Sequence, residues 1–259
     1  MAESALITGA TSGIGAEFAE QLAARGDDVV LVARDVARLK ERCRHLEERY
    51  GVDASYLEAD LSTREDTDRV AERLSDPDRP IGMLVNNAGY GLLTKFADST
   101  VDDEQSNLDV LVTAPMRLAH AAIGPMLSRG HGRIVNIASV AAYTPRGTYG
   151  AHKAWLVSFS RWANIEYAHR GVGMTAVCPG FVRTDFHPRM DARTDNIPGW
   201  MWLPVDRLVR EGLADVDAGK AVSIPSKRFT VLAALARNAP ASIVAKAARK
   251  GREPKTTRL

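Results

Sequence analysis

Apolar positions along the chain alternate between two periods. Short runs of adjacent apolar residues, at 5–8, 29–33, 54–58, 83–85, 134–138 and 174–177, read as strands, with a weaker one at 221–224. The second of these, Val29-Val30-Leu31-Val32-Ala33, is β-branched and apolar on both faces, as a central parallel strand requires. Between the runs the apolar spacing widens to the helical period. Ile14, Phe18 and Leu22 predict a helix stopped by Gly26; Val36, Leu39, Cys43, Leu46 and Tyr50 predict a second, stopped near Gly51. Ser62 and Glu65 form a candidate capping box for a third. Long helices are expected over 102–128 and 149–169. Strand–helix alternation of this length predicts a single α/β domain: a doubly wound, mostly parallel seven-stranded sheet with helices on both faces. Right-handed crossovers then gather the loops that follow the strands at one edge, where ligands bind. The least regular stretch, 185–220, is a candidate lid on a domain of residues 1–245, followed by a basic tail at 246–259.

The first strand runs into Thr8-Gly9-Ala10-Thr11-Ser12-Gly13-Ile14-Gly15 and then a helix. Glycines let the backbone turn sharply and approach a ligand closely. The first N–H groups of the helix and its positive dipole end suit a pyrophosphate. Gly9, Thr11, Ser12, Gly13, Ile14 and Gly15 are therefore candidate cofactor contacts. Arg34 ends the second strand, where an acidic residue would bind the ribose hydroxyls of NAD(H). Asp35 follows at once, so charge alone is ambiguous, but Arg34 with Arg38 one turn on suits a 2′-phosphate, which favours NADP(H). Asp60-Leu61, closing the third strand, can set a carboxylate against the adenine amino group.

Composition narrows the classes further. The 259 residues carry 34 Lys+Arg against 32 Asp+Glu, a net charge of +2, which excludes a nucleic-acid binder working by overall positive charge. Two cysteines, Cys43 and Cys178, are too few for a disulfide framework or a metal centre. The first residues lack signal-peptide character and no uninterrupted apolar run suggests a transmembrane segment, so a cytoplasmic protein is expected.

The ordered motifs carry a resemblance. Thr8 to Gly15 matches T-G-x-x-x-G-x-G; Asn86-Asn87-Ala88-Gly89 matches N-N-A-G after the fourth strand; Tyr149-Gly150-Ala151-His152-Lys153 matches Y-x-x-x-K with Ser139 upstream; Pro179-Gly180 follows the sixth strand. Together they resemble the short-chain dehydrogenase/reductase family, whose catalytic domain is Rossmann-like. The resemblance implies Ser139, Tyr149 and Lys153 as catalytic residues. It also implies cofactor contacts from Asn87, Ala88, Gly89, Tyr149, Lys153, Pro179, Gly180, Val182 and Thr184, and a homodimer or homotetramer. Elementary chemistry points the same way. Tyr149 and Lys153, four apart, share one helix face. An ammonium nearby favours a phenolate, so Lys153 is expected to lower the Tyr149 pKa and let it exchange a proton with a carbonyl or alcohol. Ser139 can hydrogen-bond the same oxygen. His152 reads as a surface or packing histidine, and Cys178 as a buried, inert thiol.

One position departs from the family. Leu111 stands where an asparagine usually lies, and Asn107, one turn earlier, is a possible shifted substitute. Pro115 cannot donate to the carbonyl four residues back, which is that of Leu111. That carbonyl is then free to hold the water that links the lysine to solvent in family members.

On the substrate side, Ile197, Trp200, Met201, Trp202 and Leu203 suggest an apolar lid, with Phe186, Met190 and Trp155 as further walls and Arg183, Arg189 and Arg193 as weak anion candidates. Residues 226–250 add Phe229, Val231, Leu232, Leu235, Ile243 and Val244 among basic residues, read as a helix packed on the domain, a dimer contact, or an amphipathic membrane-surface helix. The expectation is an NADP(H)-dependent oxidoreductase acting on a hydrophobic small-molecule carbonyl or alcohol, such as a 3-oxoacyl thioester or steroid-like compound. The alternatives are a 3-oxoacyl thioester reductase and a cofactor-binding regulator with weak turnover.

Overall fold

The computed structural model describes residues 4–92, 94–184 and 197–238. The possible walls Phe186 and Met190, the arginines Arg189 and Arg193, Ile243, Val244 and the basic tail 246–259 lie outside them.

Seven parallel strands form the main sheet: β1 (Ser4–Thr8), β2 (Asp28–Ala33), β3 (Ala54–Glu58), β4 (Ile81–Asn86), β5 (Gly132–Ile137), β6 (Val172–Val177) and β9 (Val222–Ser223). Their order is β3-β2-β1-β4-β5-β6-β9, with the reversal of direction between β1 and β4. At the centre Ile7 lies beside Leu31 on one side and Val85 on the other, and the β1–β4 register shifts once, between Ser4 and Ala5. The sheet is buried on both faces. Phe18, Leu22, Leu39, Leu46 and Leu213 cover one, and Val70, Leu74, Leu118, Ala122 and Met126 the other.

Helix α1 (Gly13–Ala23) follows the glycine loop, and α2 (Val36–Tyr50) ends on Gly51 in the left-handed conformation. Helix α3 (Arg64–Ser75) starts one residue later than the sequence suggests. Thr63, not Ser62, is its cap, accepting from the Asp66 N–H, because Ser62 Oγ is engaged with Asp60 at 2.8 Å.

The expected long helix is two helices, α4 (Val101–Leu108) and α5 (Ala114–Arg129), joined by a single π turn over Asp109–Thr113. The Ala114 N–H reaches back five residues to the Asp109 carbonyl, and the next residue is Pro115, which has no N–H to give. By length and composition the run 101–129 is apolar enough to cross a membrane. Its Ala114, Leu118, Ala119, Ala122 and Met126 are buried on the sheet, which is what a core helix of this fold requires.

Helix α6 (Gly147–Tyr167) carries the Y-x-x-x-K run. Of the expected irregular lid at 185–220, residues 185–196 lie outside the described residues, and 197–220 are largely ordered. A two-residue strand β7 (Phe181–Val182) pairs with β8 (Trp202–Leu203), and a regular helix α7 (Val205–Asp217) packs on α1. Leu208, Val209, Gly212, Leu213 and Val216 form its buried stripe at helical spacing, so only the prolines around it disguised it. Helix α8 (Lys227–Asn238) follows β9.

Candidate active site

The glycine loop lies at the C-terminal end of β1, and its packing explains each glycine. Gly9 and Gly13 have positive φ, +66° and +57°. A Cβ on Gly15 would stand 2.3 Å from Asn87 Nδ2 and 2.5 Å from the Gly9 carbonyl oxygen. Thr8 ties the loop to the N-N-A-G segment. Its hydroxyl accepts from the Asn87 and Ala88 N–H groups at 2.9 and 3.0 Å, while Asn87 Nδ2 donates to the Thr8 and Gly9 carbonyls. Thr184, after β7, closes the far side, 3.2 Å from where a Gly13 Cβ would sit.

Helix α1, like α5, α6 and α7, has no side-chain cap at its start. Helices α2, α3 and α4 are capped by the side chains of Asp35, Thr63 and Thr100. The Ser12 side chain makes no such bond, and no acidic residue occupies the first turn of α1. The positive end of α1 thus faces the loop with no acidic residue in its own first turn, which suits an anion.

At the end of β2, the Asp35 carboxylate accepts from the Arg38 N–H at 3.1 Å and pairs with the Arg38 guanidinium at 3.4 Å. Arg38 is thereby engaged, whereas Arg34 is 78% exposed at the mouth of a cleft of about 440 Å³ lined also by Asp60, Asp66 and Arg69. Asp60 is fixed by Ser62, which donates from both its N–H and its hydroxyl, with Arg34 3.7 Å away. Burial alone would raise the Asp60 carboxyl, but Ser62 and Arg34 hold it below its ordinary value. Leu61 is buried in the sheet–helix core.

The catalytic candidates converge where β5 and β6 end. Ser139 caps a 3₁₀ turn, accepting from the Ala141 N–H at 3.1 Å, and its hydroxyl is close enough to Tyr149 to oppose the rise in the phenol pKa. The ten-residue spacing between them keeps this contact. Lys153 is buried; its Nζ donates to the Ile137 carbonyl at 2.7 Å and lies 5.7 Å from the centre of the Tyr149 ring. Burial draws the ammonium down to about 8, opposed by Cys178. The expected lowering of the phenol is not found. Burial pushes Tyr149 up to about 12, with the Ser139 hydroxyl pulling the other way. The physical reason is that Nζ is turned to a main-chain carbonyl, so desolvation of the ring dominates. Burial likewise pushes the Cys178 thiol up to about 12, leaving it inert.

Leu111 is buried beside this group. Its Cδ2 is 2.7 Å from where a Gly89 Cβ would sit, a point itself 3.8 Å from Lys153 Nζ. Asn107 does not replace the absent amide at Lys153. It is fully buried, donates from Nδ2 to the Tyr90 carbonyl at 3.0 Å, and meets His152 Nδ1 at 3.1 Å. His152 is therefore a half-buried bonded group rather than a surface one, and burial lowers its pKa. Sequence reasoning also missed a polar chain through the core: Asn86 Nδ2 donates to Asn136 Oδ1, and Asn136 Nδ2 to Ser160 Oγ, both at 2.9 Å. An Asn in a strand register otherwise apolar was its one signal.

Gly180 is needed because the Phe229 ring lies where its Cβ would be, 2.2 Å away. Phe181 stands 5.9 Å from Trp202 and 6.5 Å from Phe229, centre to centre, and Arg183 lies over Trp202. Pro179 accepts from the Val140 N–H, and Val182 is buried with Leu203 and Leu208. Trp155 stacks on Phe159 at 4.8 Å and packs within the helix layer.

The family model described as short chain dehydrogenase matches residues 3–195. A short-chain dehydrogenase from Sphingobium yanoikuyae, solved in complex with NADPH, has a TM-score of 0.83 at 33% identity, covering 99% of this chain and 98% of that one. The bulky-bulky ketone specific alcohol dehydrogenase from Comamonas testosteroni has a TM-score of 0.78 at 33% identity, covering 99% and 96%. Hydroxysteroid dehydrogenase-like protein 1 from Gallus gallus is 34% identical over 186 residues, 70% of this chain and 56% of the relative, so the chain spans little more than half of that relative's length. With the glycine loop, the N-N-A-G segment and the Ser-Tyr-Lys group assembled at one sheet edge, the chain belongs to the short-chain dehydrogenase/reductase family of oxidoreductases.

Proposed function

We propose that this protein interconverts a hydrophobic ketone and its alcohol with NADP(H), Tyr149 acting as the general acid and base. The observation that carries the reading is the buried Lys153, its Nζ 5.7 Å from the centre of the Tyr149 ring, with Ser139 beside the Tyr149 phenol. The uncapped start of α1, with Gly9, Gly13 and Gly15 packed against Asn87 and Thr184, fits a pyrophosphate. Arg34 fits a 2′-phosphate; Asp35, which would favour ribose hydroxyls, is already engaged by Arg38.

The cofactor supplies the hydride. The protein supplies the proton and its positioning. Tyr149, its phenol raised to about 12, is protonated at neutral pH and holds a transferable proton. An alkoxide is more basic than a phenolate, so the proton moves from the Tyr149 oxygen to the reduced carbonyl oxygen as charge develops there. Ser139 Oγ donates to that oxygen and stabilises the charge. Lys153 has the place of the family lysine that binds the nicotinamide ribose. Engagement there would bring its charge closer to Tyr149 and favour return of the proton in alcohol oxidation.

The half-buried rings of Phe181, just after the Pro179-Gly180 segment, and of Trp202 support an apolar substrate. So does the bulky-bulky ketone specificity of the Comamonas testosteroni relative. A panel of aliphatic, aryl and steroid-like ketones, with NADPH and NADH compared by kcat/KM, tests the reading. Turnover of bulky apolar ketones with NADPH favoured supports it; a clear preference for NADH removes the role given to Arg34.

A further inference from the structure

Among the described side chains of helix α8, the buried ones lie on one ridge. Phe229 and Ala233 are buried, the former against Gly180 and 6.5 Å from Phe181. At about 100° per residue, Val231 and Leu235 point roughly the opposite way, with Leu232 beside them. These three are 57%, 61% and 42% exposed. A surface helix of a soluble body ordinarily carries charge on that face. Here the charge flanks the apolar row instead: Lys227 and Arg228 open the helix.

The sequence extends the pattern. Residues 227–259 hold nine Lys and Arg and one acidic residue, Glu253, a net charge of +8, whereas residues 1–226 carry −6. Topology adds a third observation. Every strand of the main sheet is parallel, so the loops after them share one edge, and α8 follows β9 at that edge. Trp200, 63% exposed, lies between β7 and α7, and Phe96, 72% exposed, between β4 and α4, also beyond strand ends. Asp98, Asp102 and Asp103 follow Phe96 closely in the sequence, whereas Lys227 and Arg228 flank the apolar row of α8, so α8 is the part that suits an anionic partner.

We propose that the outward face of α8 docks this protein on an anionic lipid bilayer. An apolar row without added charge binds a bilayer weakly, and a basic segment alone binds it reversibly and only at low salt; the two together give stable peripheral attachment. Docked on α8, the protein turns the edge that bears Ser139 and Tyr149 toward the lipid. This attachment stands apart from the ketone chemistry and does not depend on it.

The test is co-sedimentation of the full chain with phosphatidylcholine vesicles, alone or containing about 30% phosphatidylserine. The expected result is at least about tenfold more binding to the anionic vesicles, lost at about 0.5 M salt. The variant Val231→Ser/Leu232→Ser/Leu235→Ser should lose most of that binding at unchanged melting temperature. Val231→Trp keeps the proposal open to refutation if the triple variant folds poorly: its added emission should shift to the blue on anionic vesicles and be quenched by brominated lipid. The absence of binding to anionic vesicles would overturn the proposal. So would binding that the serine variant retains in full, which assigns it to the basic tail alone. A change of oligomeric mass in the α8 variants without vesicle binding would overturn it too, by showing that a second copy of the chain covers the face instead.

Discussion

Replacing Lys153 with Met should end turnover yet leave the folded protein at least as stable at pH 7. Lys153 is 5% exposed, and burial lowers its pKa from 10.5 to about 8. A base whose pKa is lowered on folding holds its proton less tightly in the folded state. Its contribution is therefore most unfavourable below pH 8, where both states are charged, and is relieved as pH rises from 8 toward 10.5. At pH 7 the burden is about 3 kcal/mol. Methionine removes it but leaves the Ile137 carbonyl without its 2.7 Å partner, at a cost of about 1–3 kcal/mol. Between pH 7 and 9 the wild type should gain about 1 kcal/mol relative to the variant, or about 2–4 °C in melting temperature. Taking the difference between the two proteins cancels the other groups that titrate in that range. Thermal unfolding of both without cofactor, at half-unit steps of pH, reads the effect. A difference that stays flat from pH 7 to 9, or a variant several kcal/mol less stable at pH 7, would refute the claim that Lys153 is a desolvated charge kept for chemistry.

Three further outcomes follow from the same geometry. Arg34→Ala should raise the KM for NADPH about 10–100-fold while leaving that for NADH nearly unchanged, as steady-state kinetics with both cofactors will report. Gly15→Ala should weaken NADPH binding and destabilise the fold by about 1–3 kcal/mol in urea unfolding, because its Cβ would collide with Asn87 and the Gly9 carbonyl. Pro115→Ala should slow kcat by restoring an N–H that competes for main-chain carbonyls at the π turn, whereas Leu111→Asn should change it only modestly; a thousandfold gain in Leu111→Asn, about 4 kcal/mol, would mean that the native site lacks an essential group.

What the sequence made legible were features with local causes. Val29 to Ala33 reads as a buried parallel strand because both faces are apolar, and it lies second from the edge, between β1 and β3. Gly51 ends α2 because only its left-handed conformation closes that turn without strain. What stayed hidden depended on partners distant in the chain. Ser62 satisfies the capping pattern, but its hydroxyl is taken by Asp60, so the cap passes to Thr63. The π turn at Asp109–Thr113 has no sequence signature beyond Pro115. The Tyr149 phenol depends on where Lys153 Nζ points. Spacing along a helix gives a shared face, not the Ile137 carbonyl that captures the ammonium. The Asn107–His152 contact joins residues 45 apart, and neither looks unusual in its own helix.

The central claim is that Tyr149 moves the proton while the cofactor site stands independently of it. The most direct measurement is NADPH oxidation with a bulky apolar ketone by wild type and Tyr149→Phe, paired with a fluorescence titration of NADPH on each. The account predicts a loss of kcat of about 100-fold to 10,000-fold in the variant with the NADPH dissociation constant changed less than about threefold. Turnover retained within tenfold, or no turnover by the wild type on any carbonyl despite tight NADPH binding, would contradict it.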